Sequence, residues 1–223
     1  MLFPCFLNSP YSVITKAASR FQAYRGKPSL RPSSLTMPQH PHTRTDPEVS
    51  MDYTYLYPSP LGEITLASNG TQLTGLWFKN QKYFGSTLCK DHVQQGLPIF
   101  KEACRWLRFY FKGDIPGFTP PMSLGGTPFY KAIWEILLTV PYGHTVTYGE
   151  IAKKYAQQQG IPSMSPQAVG NAVAHNPISL IIPCHRVVGS NGSLTGYAGG
   201  IEKKTKLLAL ERVGLPPCPI PTR

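Results

Sequence analysis

A change of period divides this chain and limits the folds open to it more than any other feature. From Asp52 to Phe78 the text is strand-like. Tyr53-Thr54-Tyr55-Leu56-Tyr57 is β-prone, Pro58-Ser59-Pro60-Leu61-Gly62 marks a turn, and Glu63 to Ser68 alternates in part. Asn69-Gly70 is a hairpin signal, and Leu73 to Phe78 makes a third strand. Ile99 to Phe111 then sets Phe100, Ala103, Cys104, Leu107 and Tyr110 at helical spacing, with Cys104 read as a core residue. The run Gly113 to Gly126, rich in Pro and Gly, interrupts the pattern as a linker.

Beyond the linker the text is helical. Thr127-Pro128 is an N-cap and first-turn pair, and Phe129, Ile133, Trp134, Leu137 and Leu138 form a buried face. Thr147 and Glu150 have the spacing of a capping box opening a helix through about Gln158, which Gly160-Ile161-Pro162 breaks. Ser165-Pro166 starts another short helix, Gln167 to about Ala174, whose open face is small: Gly170, Asn171 and Ala174. Two short helices joined by a Gly/Pro turn match a helix-turn-helix, and small residues suit close approach to a backbone or groove. A last helix spans about Ile201 to Arg212, stopped by Gly214 and Pro216-Pro217.

The predicted domain boundaries follow: an extension over 1–50, an α/β domain over 51–117, a linker over 118–127, a helical domain over 128–215 and a tail over 216–223. Residues 1–50 hold many Pro and Ser and no acid before Asp46, which predicts disorder; the same composition fits an organelle transit peptide or a plain extension.

With 223 residues and a net charge of +11, the chain can bury a real core and favours a polyanionic partner through Coulomb attraction and counterion release. The basic excess persists without the first fifty residues. The five cysteines (Cys5, Cys89, Cys104, Cys184, Cys218) are odd in number, irregularly spaced and lack a C-x-x-C pair, which suits free thiols in a reducing compartment and gives no zinc-ligand pattern. No apolar run reaches the roughly 18 residues that a membrane helix needs. A soluble intracellular chain is expected, in the cytoplasm or nucleus if the cell is eukaryotic.

The chemistry concentrates at Pro183-Cys184-His185-Arg186-Val187, directly after the apolar run Ile178 to Ile182, which reads as a short buried strand. A thiol becomes a strong nucleophile only as thiolate, and a neighbouring imidazole is the usual means. Alone, a Cys-His pair is weak evidence, because adjacent residues rarely point the same way.

The frame around it is specific. Asn176-Pro177, the IPCHRVV run, and Gly192-Ser193-Leu194-Thr195-Gly196-Tyr197-Ala198-Gly199-Gly200 resemble the active-site signature of the O6-alkylguanine-DNA alkyltransferases, also called methylated-DNA–protein-cysteine methyltransferases. The resemblance extends to Thr147-Tyr148-Gly149-Glu150-Ile151-Ala152, Gln167-Ala168-Val169-Gly170-Asn171-Ala172 and Leu207-Leu208-Ala209-Leu210-Glu211. It implies an α/β N-terminal domain of ribonuclease-H-like topology and a mostly α, winged-helix-like C-terminal domain carrying the helix-turn-helix. It implies DNA repair by irreversible, single-turnover transfer of the alkyl group of O6-alkylguanine, with O4-alkylthymine left open, from a flipped-out base to Cys184. No cofactor and no metal is expected; the partner is double-stranded DNA bearing alkylated bases, and the protein acts as a monomer.

By the same resemblance, His185 and Glu211 complete a relay to Cys184, Asn176 braces the loop, and Tyr148 donates to the departing base and presses on the target phosphate. Gln167 stands where many relatives carry an arginine that fills the gap left by the flipped base, so flipping is retained with weaker DNA affinity. Ala168, Gly170, Asn171 and Ser190 face DNA; Tyr197, Ala198 and Gly199 wall the substrate pocket. Arg186 has two readings, a phosphate ligand or a loop brace. A damage sensor of the alkyltransferase-like kind shares this frame but replaces the cysteine, so Cys184 argues against it.

Overall fold

The computed structural model describes residues 51–212. The expectations for residues 1–50 and for the tail beyond 212 lie outside these residues. Three strands, β1 (Asp52–Ser59), β2 (Gly62–Ser68) and β3 (Leu73–Phe78), form the antiparallel meander the sequence predicts. The Asn69-Gly70 turn joins β2 to β3, with Asn69 Oδ1 accepting from Gln72 N at 3.0 Å. A fourth strand, β4 (His92–Gln94), lies parallel to β1, giving the order β3-β2-β1-β4. It is three exposed residues long and has no apolar pattern to announce it.

Helix α1 (Pro98–Phe111) buries Ile99, Phe100, Ala103, Trp106, Leu107 and Tyr110, a stripe at helical spacing. The helical half follows: α2 (Pro128–Leu138), α3 (Tyr148–Gln159), α4 (Pro166–Ala174) and α5 (Ile201–Leu210). Their starts are chemically marked. Thr127 caps α2 by accepting from Tyr130 N, Thr147 and Glu150 close a complete capping box on α3, and Ser165 caps α4. Gly160 ends α3 in the left-handed region at φ 65°, a conformation glycine adopts without strain. Trp134 locks α2 to α4 by donating its indole N–H to Ala172 O at 2.9 Å.

The two halves meet along the outer edge of β3. Leu73 exchanges backbone hydrogen bonds with the linker (Leu73 N to Pro121 O, 2.9 Å; Ser123 N to Leu73 O, 2.8 Å). Leu76 does the same with the segment before Cys184 (Leu76 N to Pro177 O and Ser179 N to Leu76 O, both 2.9 Å). Gly113 to Gly126 is therefore an edge partner as well as a spacer.

Ile178 to Ile182 is buried as predicted, but it is no strand. Only isolated bridges form, Leu180 sits at φ 70°, and Ile182 N turns back to Ile178 O at 3.1 Å. A turn can be fully buried here because Asn176 satisfies its backbone: Asn176 Oδ1 accepts from Ile178 N (3.0 Å) and Nδ2 donates to Ile182 O (2.8 Å). A single 3-10 turn, Cys184–Arg186, follows, then a two-residue strand β6 (Val187–Val188) parallel to β5 (Val146–Thr147). That ribbon carries the start of α3, and Tyr148 with it, to the same side as Cys184.

Candidate active site

Cys184 is buried among Ile182, Val187 and the α4 helix, yet its side chain lines a cavity of about 210 Å³ shared with Tyr148, Gly170, Ala174, Tyr197 and Ala198. Asn176 Nδ2 donates to its sulfur at 3.0 Å. Burial pushes the thiol up, against the amide of Asn176 and the positive charge of Lys204, which both favour the thiolate. The amide that braces the turn thus also touches the sulfur.

Behind Cys184 stands a closed polar network. His185 is fully buried and donates from Nε2 to Glu211 Oε1 at 2.7 Å. Glu211 also accepts from Tyr110 Oη (2.8 Å), from Arg186 Nη2 (3.0 Å) and Nε (2.8 Å), and from Gly143 N (3.2 Å). Burial of Glu211 opposes its ionisation, but the hydrogen bonds and charges of His185 and Arg186 prevail and hold its carboxyl at about 2. An ionised carboxylate only accepts, so Nε2 carries the proton and Nδ1 is the basic nitrogen. Nδ1 is buried and has no hydrogen-bond partner among the described residues. Burial drives the imidazole pKa down, with Glu211 pulling it back up.

The two readings of Arg186 separate here. Its guanidinium grips Glu211 through two nitrogens and donates to Val140 O at 2.6 Å, so it braces the network, and it is buried away from any phosphate at the surface.

Tyr148 stands across the cavity, half-buried at the start of α3, with its hydroxyl 3.4 Å from Thr195 O; burial raises its pKa. Gly170 packs under its ring, where an added Cβ would lie 3.7 Å from Tyr148 Cε1. Tyr197 and Ala198 line the cavity, and Tyr197's hydroxyl is buried without a partner among the described residues. Gly199 lies under the Tyr197 ring, where an added Cβ would come within 2.7 Å of Tyr197 Cε1, so the glycine lets that ring sit close to the backbone. Gln167 and Asn171 are exposed on α4 beside the cavity, with Ala168 half-buried between them; Asn171 Nδ2 donates to Tyr130 Oη at 3.1 Å. Ser190 is exposed beyond β6 and lines no part of the cavity.

Three site residues escaped the sequence reading. Tyr110 sits on the α1 stripe like a core aromatic, and its partner Glu211 is 101 positions away. Lys204 is fully buried and donates to the carbonyls of Val187, Thr195 and Gly196, tying α5 to the glycine-rich loop; burial lowers its pKa to about 8. Lys82, from the N-terminal half, lines the cavity mouth. For Lys204 the helical spacing from Leu207 and Leu208 was a usable signal, since it puts this lysine on the buried side of α5.

Two family models account for nearly all the described residues. Residues 52–124 match "6-O-methylguanine DNA methyltransferase, ribonuclease-like domain", and 128–213 match "6-O-methylguanine DNA methyltransferase, DNA binding domain". Among relatives, the methylated-DNA–protein-cysteine methyltransferase of Mycobacterium tuberculosis is 44% identical over 158 residues, covering 71% of this chain and 91% of that one. Those of Haemophilus influenzae and Methanosarcina acetivorans are 40% and 42% identical, with 86% and 97% of their lengths covered. The solved structure of Mycobacterium tuberculosis OGT in complex with DNA superposes with a TM-score of 0.62 at 42% identity, over 72% of this chain and 92% of that one.

Proposed function

The chain belongs to the methylated-DNA–protein-cysteine methyltransferase family, a DNA-repair family with a ribonuclease-like and a DNA-binding domain, and from that premise we propose how its own residues carry out the transfer. Cys184 accepts the alkyl group of O6-alkylguanine from a base swung out of the duplex into the cavity, once per protein molecule. The observation that carries this reading is the Tyr110–His185–Arg186–Glu211 network built directly behind a cysteine that lines an open cavity.

The chemistry follows from the charges. Glu211, kept ionised, holds the Nε2 proton of His185 and stabilises the imidazolium that forms when Nδ1 takes the thiol proton through one bridging water. The thiolate attacks the alkyl carbon, the sulfur–carbon bond forms as the carbon–oxygen bond breaks, and the electron pair leaves with the guanine. Tyr148 donates its proton to the departing base, which leaves as neutral guanine; the phenolate regains a proton from solvent and the His185 imidazolium releases the thiol's proton to it, so the proton lost by sulfur balances the one gained by guanine. Asn176 and Lys204 favour the thiolate during the step. The thioether that results has no hydrolytic exit, so each molecule acts once.

For binding, α3 and α4 serve as the helix-turn-helix of a winged-helix-like domain over 128–215, joined by residues 118–127 to the domain over 51–117. Gln167, Ala168, Gly170 and Asn171 face the DNA from α4, with Gln167 filling the gap in the stack and Ser190 touching the backbone. The protein acts as a monomer on alkylated duplex DNA. Incubation with a duplex carrying one O6-methylguanine tests the core of this reading. Intact-protein mass spectrometry should show one added methylene, about 14 Da, on wild type and none on Cys184→Ala. Tight binding without a mass change would replace transfer by lesion sensing.

A further inference from the structure

Among the described residues, Lys82 is the one basic side chain lining the cavity in front of Cys184, and it comes from the N-terminal half, not from the helix-turn-helix. It sits on the loop after β3, which two non-glycine residues bend through the left-handed region, Asn80 at φ 62° and Tyr83 at φ 61°. Such a loop persists only where its surroundings hold it. Here three contacts do so. Lys82 N donates to Ala198 O at 2.9 Å, fixing the loop to the cavity wall. Gln81 is buried, its Oε1 accepting from Phe78 N (3.2 Å) and from Ser179 Oγ (3.1 Å), just before Cys184. Tyr83 stacks on His175 at 3.8 Å between centroids, and His175 donates from Nδ1 to Asn171 O at the end of α4.

The Lys82 side chain itself is left free. Its Nζ lies 4.9 Å over the Tyr83 ring, and it forms no ion pair among the described residues, whereas Lys79 and Lys206 each have a glutamate. A cation without an ion-pair partner among the described residues, on a fixed loop at the mouth of a mostly apolar cavity, matches what a nucleotide entering that cavity brings. The base goes inward and its phosphodiester stays at the rim. Lysine suits a phosphate as a compact point charge.

We propose that Lys82 binds the backbone phosphate next to the swung-out nucleotide, making the N-terminal domain part of the DNA interface. This rests on the reading of Cys184 as the acceptor in that cavity. Two substrates separate phosphate from base: duplex DNA with one O6-methylguanine, and free O6-benzylguanine, which has no phosphate. Lys82→Ala should cut the repair rate on DNA about tenfold more than it cuts labelling by the free base, and Lys82→Arg should restore most of the loss. The slope of log affinity for lesion DNA against log salt should fall by about one in Lys82→Ala. Equal losses on both substrates, or an unchanged salt slope, would overturn the assignment. If wild type labelled with neither substrate the Cys184 reading would fall instead, while the salt slope, a binding measurement, would still report on Lys82.

Discussion

Glu211 accepts hydrogen bonds from four residues while almost wholly buried, so its charge state governs both stability and chemistry. Its carboxyl is held at about 2 in the folded chain against 4.5 ordinarily. A depressed carboxyl stabilises the fold at pH values above its unfolded value, and that contribution drains away as pH falls from about 4.5 toward 2. Glu211→Gln should flatten the stability–pH curve across that window, measured by denaturant unfolding at a series of pH values. The same variant leaves the Arg186 guanidinium buried without its counter-charge, a loss of about 3–5 kcal/mol by analogy with other broken buried pairs. It should also slow O6-benzylguanine labelling, because His185 becomes a weaker base, and the acid-side pH midpoint of labelling should move downward, because without the carboxylate the imidazole is protonated only at lower pH. A midpoint that stays in place would show that Glu211 is only a structural anchor. At this scale the legible residues were those with an unusual side chain in a recognisable frame, Cys184, His185, Tyr148 and Asn176. Tyr110 was not legible, because its ring satisfies an apolar stripe and only its hydroxyl, invisible to periodicity, does anything else.

Among the elements, helices were easier to read than the segment that presents the nucleophile. Helix starts carry their own chemistry: Thr127-Pro128, the Thr147/Glu150 box and Ser165-Pro166 each mark the start within a residue or so. The run Ile178 to Ile182 misled because burial and β-branching are shared by strands and by buried turns. What distinguishes them is where the backbone hydrogen bonds go, and here a side chain six positions upstream of Ile182 takes two of them. Asn176 therefore shapes the segment and touches the sulfur at once. Asn176→Ala should cost about 2 kcal/mol, since it leaves the buried Ile178 N–H unpaired and strips Ile182 O of one of its two donors, and it should slow Cys184 labelling as well. Chemical denaturation gives the first quantity and O6-benzylguanine kinetics the second. Unchanged stability would mean that the turn is held by β3 alone, through Leu76 and Ser179.

Across the whole molecule, the division into strand-rich and helical halves was plain from the change of period, but their interdependence was not. The N-terminal half supplies the Tyr110 hydroxyl to Glu211, the Gln81 amide to Ser179 and the β3 edge to the segment before Cys184. Each contact joins residues dozens of positions apart, and no local pattern encodes such a pairing. These are buried, directional bonds, so opening one half leaves unsatisfied polar groups in the other and the two should unfold as one cooperative unit. Trp134→Phe makes this measurable, because the remaining tryptophans, Trp77 and Trp106, both lie in the first half. In that variant, denaturant titration followed by fluorescence reports the first half. Alkylation of Cys184 by a thiol reagent, mapped by mass spectrometry, reports the second. Coincident midpoints are expected. An earlier exposure of Cys184, with the fluorescence still native, would mean that the helical half opens independently and that contacts across β3 position the site without stabilising it.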